Sequence, residues 1–90
     1  MAVGNFQVGN YTNKTASANI KASEGCLLGF YVNSTSSGTI TFYDSATTTT
    51  TTAISGTITP AIGWNFYPVC YTNGLYAAIG STINVTFVWA

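Results

Sequence analysis

Histidine is absent from this 90-residue chain, and only four side chains are charged: Lys14, Lys21, Glu24 and Asp44. The missing histidine excludes every triad or proton relay built on imidazole. With two carboxylates in all, a paired acid and base is hard to assemble, because such pairs need two titratable groups held in different environments. Glu24 and Asp44 both fall at expected turns, so a glycosidase pair is not expected. Two cysteines and two isolated acids do not make a zinc site. Asp44 with loop hydroxyls is a remote calcium candidate, and no metal is expected. The nine glycines are scattered singly, so there is no phosphate-cradling loop, and no cofactor is expected.

Charge is scarce in both signs. Two Lys or Arg balance two Asp or Glu, giving zero net charge, whereas an ordinary soluble domain is about 25% charged. Nothing steers the chain toward nucleic acid or an anionic membrane. No apolar run approaches membrane-spanning length. The opening residues, MAVGNFQVGN, hold no basic start, apolar run or cleavage site, so no secretory signal is expected. Cys26 and Cys70 lie in apolar runs 44 residues apart. In a protein made in a reducing cytoplasm two buried thiols are the plainer reading, with a disulfide between packed strands as the alternative.

What the chain does have is hydroxyls, amides and rings. Thr, Ser and Asn make up about a third of it, and 47% is hydrophobic, with 13 Phe, Trp and Tyr. No window shows helical spacing, and β-branched and aromatic residues dominate, so the expected class is all-β. Turn signals recur about every ten residues, as in a small antiparallel β-sandwich or jelly roll. Eight short strands are expected, near 4–8, 16–22, 27–33, 38–43, 53–59, 66–71, 75–79 and 83–89. Residues 1–90 form one domain, with 1–10 a possible extended arm.

Ile40 and Phe42, then Ile83, Val85, Phe87 and Trp89, alternate with polar residues and should face the core. Asn73-Gly74 is expected to make a type I′ hairpin turn. The run Cys26 to Val32 is apolar at both parities, so its second face needs a cover, and a neighbouring subunit could supply it. The tract Thr47 to Thr52 reads as a surface loop. Sequons at Asn10, Asn13, Asn33 and Asn84 read as chance in so Asn- and Thr-rich a chain. Trp64, Tyr67, Tyr71, Tyr76 and Trp89 could form a platform for sugar rings, although packing and subunit contact are the plainer role.

The segments GNYTNKTASANIKASEGCLLGFYVNS, GTITFYDS, TAISGTITP and WNFYPVCYTNGLYAAIGSTINVTFVW resemble small virion proteins of tailed bacteriophages over Gly9 to Trp89. The resemblance implies a compact β-sandwich on the phage head, made in the host cytoplasm. It would be a capsid decoration or cement protein, with no enzymatic activity. Its partners would be copies of itself, with a trimer favoured, and the major capsid protein. A tail or connector component, and a carbohydrate-binding or adhesion module, are the alternatives. Amphipathic aromatics dominate such interfaces, so Phe6, Tyr31, Trp64, Tyr67, Tyr76 and Trp89 are the expected contact residues.

Overall fold

A computed structural model describes residues 10–90. The expected strand at 4–8, the arm and Phe6 lie outside the described residues. The rest is all-β and antiparallel, but among the described residues five strands stand where seven of the eight expected would fall: β1 (Asn10–Lys14), β2 (Ala18–Lys21), β3 (Gly25–Asp44), β4 (Gly63–Tyr71) and β5 (Leu75–Trp89). They form one sheet of order β1-β5-β3-β4, with β2 also paired to β5.

The lower count has a physical origin. Ser37-Gly38 and Gly80-Ser81, where turns would bound the strands expected at 38–43 and 75–79, are bends inside two long strands. β3 and β5 pair from Leu27 opposite Trp89 to Asp44 opposite Leu75, and the register shifts where Ser36 and Ser37 both oppose Thr82. Ser37 and Ser81 adopt φ of 58° and 57°, a conformation that side chains larger than glycine rarely take. One extra residue with that geometry bends a strand without ending its pairing. A straight 20-residue strand would reach about 66 Å, yet the longest dimension of the described residues is 40 Å.

The bend divides the sheet into two halves. β1 and β4 flank the first half, where β1 pairs with 85–89 of β5 and β4 with 25–32 of β3. β2 flanks the second half, opposite Leu75 to Ala77. On that half's other edge the expected strand at 53–59 makes only isolated bridges, Ile40 to Ile58 and Tyr43 to Ala53. Ser55 interrupts it by using its hydroxyl, not its carbonyl, to accept the Phe42 N–H at 3.1 Å.

Inward residues of the halves meet in one core. Phe30 and Phe87 come from the first half and Phe42 from the second, and the Phe42 ring centroid lies 5.6 and 5.8 Å from theirs. All three rings are buried, with Leu27, Ile40, Leu75 and Ile83 around them. Full burial of such side chains contributes about 1.5–3 kcal/mol each.

Asn73-Gly74 is not a hairpin turn. The strands it joins, β4 and β5, lie on opposite sides of β3, and Gly74 does not have positive φ among the described residues. Crowding explains the glycine: a Cβ there would sit 2.5 Å from the Ser45 carbonyl oxygen and 2.6 Å from that of Lys21. Asp44 holds the crossing. Its carboxylate accepts from the Thr72 N–H at 3.0 Å, the Thr72 hydroxyl at 3.1 Å, the Asn73 N–H at 2.7 Å and the Gly74 N–H at 3.3 Å. The thr tract is tied down beside it, where the Ser45 hydroxyl accepts from the N–H groups of Thr47 and Thr49.

Cys26 and Cys70 oppose each other on β3 and β4 and form a disulfide. Buried free thiols are thereby corrected: the strand register brings the pair together, which a separation of 44 residues does not reveal. Closing a loop of 44 residues restricts the unfolded chain by about 4 kcal/mol on the chain-entropy account.

Two outcomes follow for stability. Reduction, or Cys26→Ser with Cys70→Ser, should lower the unfolding free energy by about 2–4 kcal/mol in urea titrations; equal midpoints before and after reduction would refute the clip. The Thr72 and Asn73 N–H groups, foremost among its donors, hold the Asp44 carboxyl below its usual 3.8. Its contribution is therefore complete above that value and lost as pH falls through the lower folded value. Asp44→Asn should be less stable than wild type near neutrality and show a shallower loss of stability below about pH 4. Parallel acid profiles for the two proteins would count against this role.

Candidate functional site: an aromatic and amide face

β4, with the sequence GWNFYPVCY, alternates cleanly. Trp64, Phe66, Pro68 and Cys70 are exposed, while Asn65, Tyr67 and Val69 are half-buried and Tyr71 is buried. The exposed set belongs to the outer face of the sheet's first half. Among the described residues five large hydrophobic side chains stay open to solvent: Tyr11 at 77%, Phe66 at 71%, Ile62 at 65%, Trp64 at 50% and Tyr31 at 46%. Four of them lie on strands of this half.

Register lines these side chains up. Asn13 opposes Thr86, Thr86 opposes Tyr31, and Tyr31 opposes Trp64, so one row crosses all four strands. A parallel row runs from Tyr11 through Val88 and Gly29 to Phe66. The Trp64 ring lies over Gly29: a Cβ at Gly29 would come within 2.8 Å of Trp64 Cζ2 and 2.5 Å of the Asn65 carbonyl oxygen. Thus the second face of the apolar run from Cys26 is covered partly from within the chain, by Trp64 and the disulfide.

The amide end of the row is a hydrogen-bonded cluster. Asn84 Oδ1 accepts from Asn13 Nδ2 at 2.8 Å and from Asn33 Nδ2 at 3.1 Å, and Thr86 Oγ1 accepts from Asn13 Nδ2 at 2.9 Å. Three of the four sequon asparagines converge here. In a strand, positions i and i+2 share a face, so Asn-Val-Thr at 84–86 is two outward polar positions flanking an inward valine.

The other expected contact residues are placed differently. Tyr67 points inward and stacks on Phe42, with centroids 5.7 Å apart. Trp89 is partly buried against the core. Tyr71 is buried, its hydroxyl has no hydrogen-bond partner among the described residues, and burial pushes its phenol above the usual 10.0. Tyr76 is half-buried on the outer face of the second half, opposite Tyr43, with ring centroids 6.0 Å apart. Of the expected residues that are described, only Tyr31 and Trp64 meet on one exposed surface. Sequence reasoning missed Tyr11 and Phe66, although the parity of β4 separates Trp64 and Phe66 from Tyr67.

An open groove of about 340 Å³ lies elsewhere, along Asp44, Ser45, Asn73 and the threonine tract. Its one carboxylate is already occupied by the 72–74 crossing. Among the described residues no three His, Cys, Asp or Glu side chains cluster, and no helix is long and apolar enough to cross a membrane. No family model, curated protein or solved structure matches the chain.

Gly29→Ala tests how the Trp64 ring is seated. The added methyl should displace the ring and destabilise the domain by about 1–3 kcal/mol, as overpacking does, with a shift in tryptophan emission. A variant with unchanged emission and stability would show that the ring does not rest there.

Proposed function

We propose that this chain is a non-enzymatic structural protein of a phage particle, of the capsid decoration kind, which self-associates and bridges capsid subunits. The observation that carries this reading is a small domain with two separate outward surfaces that lack charge repulsion. One is the aromatic and amide face of the first half. The other is the Tyr43 and Tyr76 surface of the second, flanked by Thr41 and Ala78. Neutral surfaces do not repel copies of themselves, and bridging falls to the second surface and to β4, an edge strand among the described residues, so that it does not require the outer face of the first half.

The finer architecture fits the same reading. The sheet bends so that Phe42 of one half packs on Phe30 and Phe87 of the other, which supports a two-layered β-sandwich made from one continuous sheet. A disulfide in so small a domain suits a protein that works outside the cell, since such bonds persist in oxidising surroundings. Contact with the particle is assigned to the Tyr43 and Tyr76 surface, where paired rings bring apolar area and two hydroxyls.

Light scattering on the purified protein, followed by mixing with particles that lack it, tests this function. The expected outcome is a stable oligomer that saturates capsids. Tyr43→Ser with Tyr76→Ser should weaken capsid occupancy by about tenfold or more, as expected when anchoring aromatics are removed. A monomer that leaves capsids bare would overturn the reading.

A further inference from the structure

The row from Asn13 to Trp64 has a chemistry that particle assembly does not use. We infer that it is a binding site for a neutral polysaccharide chain, which lies across the strands with sugar rings on Trp64 and Tyr31 and hydroxyls on the asparagine cluster. The inference goes beyond the structural role and does not depend on it.

The composition of the row matches a sugar on both counts. A sugar ring has an apolar C–H face and a rim of hydroxyls, each able to donate and accept. Trp64 and Tyr31 are opposed across β3 and β4 and half-open to solvent, so they offer ring faces for stacking. Next to them, Asn13 and Asn33 each spend their Nδ2 on the Asn84 oxygen. This leaves the Oδ1 atoms of Asn13 and Asn33 as acceptors and the Nδ2 of Asn84 as a donor, with no partner among the described residues. Acceptors and a donor side by side are what a row of hydroxyls requires. Across three strand spacings the row is about 14 Å long, so it takes several sugar units.

Charge selects among glycans. Asn13, Asn33, Asn84, Thr86, Tyr31 and Trp64 are all neutral. Lys14, the one cation on β1, alternates to the other parity and opposes inward Val85. A sialylated or sulfated chain would find no cation in the row, whereas a neutral chain pays no penalty for one. The cluster is also built in advance: the asparagines hold one another and Trp64 rests over Gly29, so little side-chain freedom is lost on binding. A protein partner fits less well, because it would have to satisfy the amide end in full when that end is buried.

The test is a titration of intrinsic tryptophan fluorescence with cello-, malto-, manno- and galacto-oligosaccharides, with sialylated and sulfated oligosaccharides alongside. At least one neutral series is expected to bind saturably, more tightly as the chain lengthens, and the acidic probes should bind no better. Trp64→Ala and Asn84→Ala should each weaken binding by about tenfold or more, with Trp64→Phe retaining more affinity than Trp64→Ala. Circular dichroism and the oligomer mass should be unchanged, and Tyr76→Ser should bind as wild type; since Trp89 remains in every variant, binding of the Trp64 variants is read by calorimetry. The inference is overturned if no neutral oligosaccharide binds at millimolar concentration, if acidic probes bind best, or if folded Trp64→Ala and Asn84→Ala proteins bind as wild type. It is equally overturned if the face proves to be covered by a second copy, seen as dilution-dependent solvent protection of Trp64 and Tyr31.

Discussion

Everything in this molecule depends on the pairing of β3 with β5. The two strands stay in register contact from Leu27 and Trp89 to Asp44 and Leu75, through a bend at Ser36, Ser37 and Ser81. Because the ladder survives the bend, two halves of one sheet can close on a single aromatic core. A 90-residue chain has little surface to bury, and folding one sheet back uses its inward residues against each other. The Asp44 carboxylate and the Cys26 to Cys70 disulfide then fix what the bend leaves loose. One ties the crossing at 72–74 to the end of β3, and the other ties edge strand β4 to the start of it.

The same closure creates the outer surfaces. When Phe30, Val32, Val85 and Phe87 turn inward, period-two alternation sends Tyr31, Asn84, Thr86 and Val88 outward. β1 and β4 extend that outward face on both sides, with Tyr11 and Asn13 at one edge and Trp64 and Phe66 at the other. Rings and amides therefore share a face because four strands align there, not because any one segment carries a motif.

That origin explains what was legible in the sequence. Class and core were readable, since Ile40 and Phe42, and Ile83, Val85 and Phe87, alternate with polar residues and all five are buried. Strand number was not, because Gly38 and Gly80 look the same in sequence whether the chain turns or bends. β1, with the sequence NYTNK, carries no apolar alternation and becomes a strand only through its partner β5. Asn73-Gly74 has the composition of a hairpin, but partner choice sends β4 and β5 to opposite sides of β3. The disulfide and the aromatic row are likewise products of register, which links residues far apart in the chain. Within β4, by contrast, parity alone separates outward Trp64 and Phe66 from inward Tyr67 and Tyr71.

One bent sheet folds its two halves around a shared core. Nuclear Overhauser spectra of the isotope-labelled protein read it directly. Contacts are expected from the Phe42 ring to the rings of both Phe30 and Phe87, together with cross-strand backbone contacts on either side of the bend, between Thr39 and Gly80 and between Thr35 and Ile83. A Phe42 ring that sees only residues of its own half, with the ladder broken at Ser37, would contradict it.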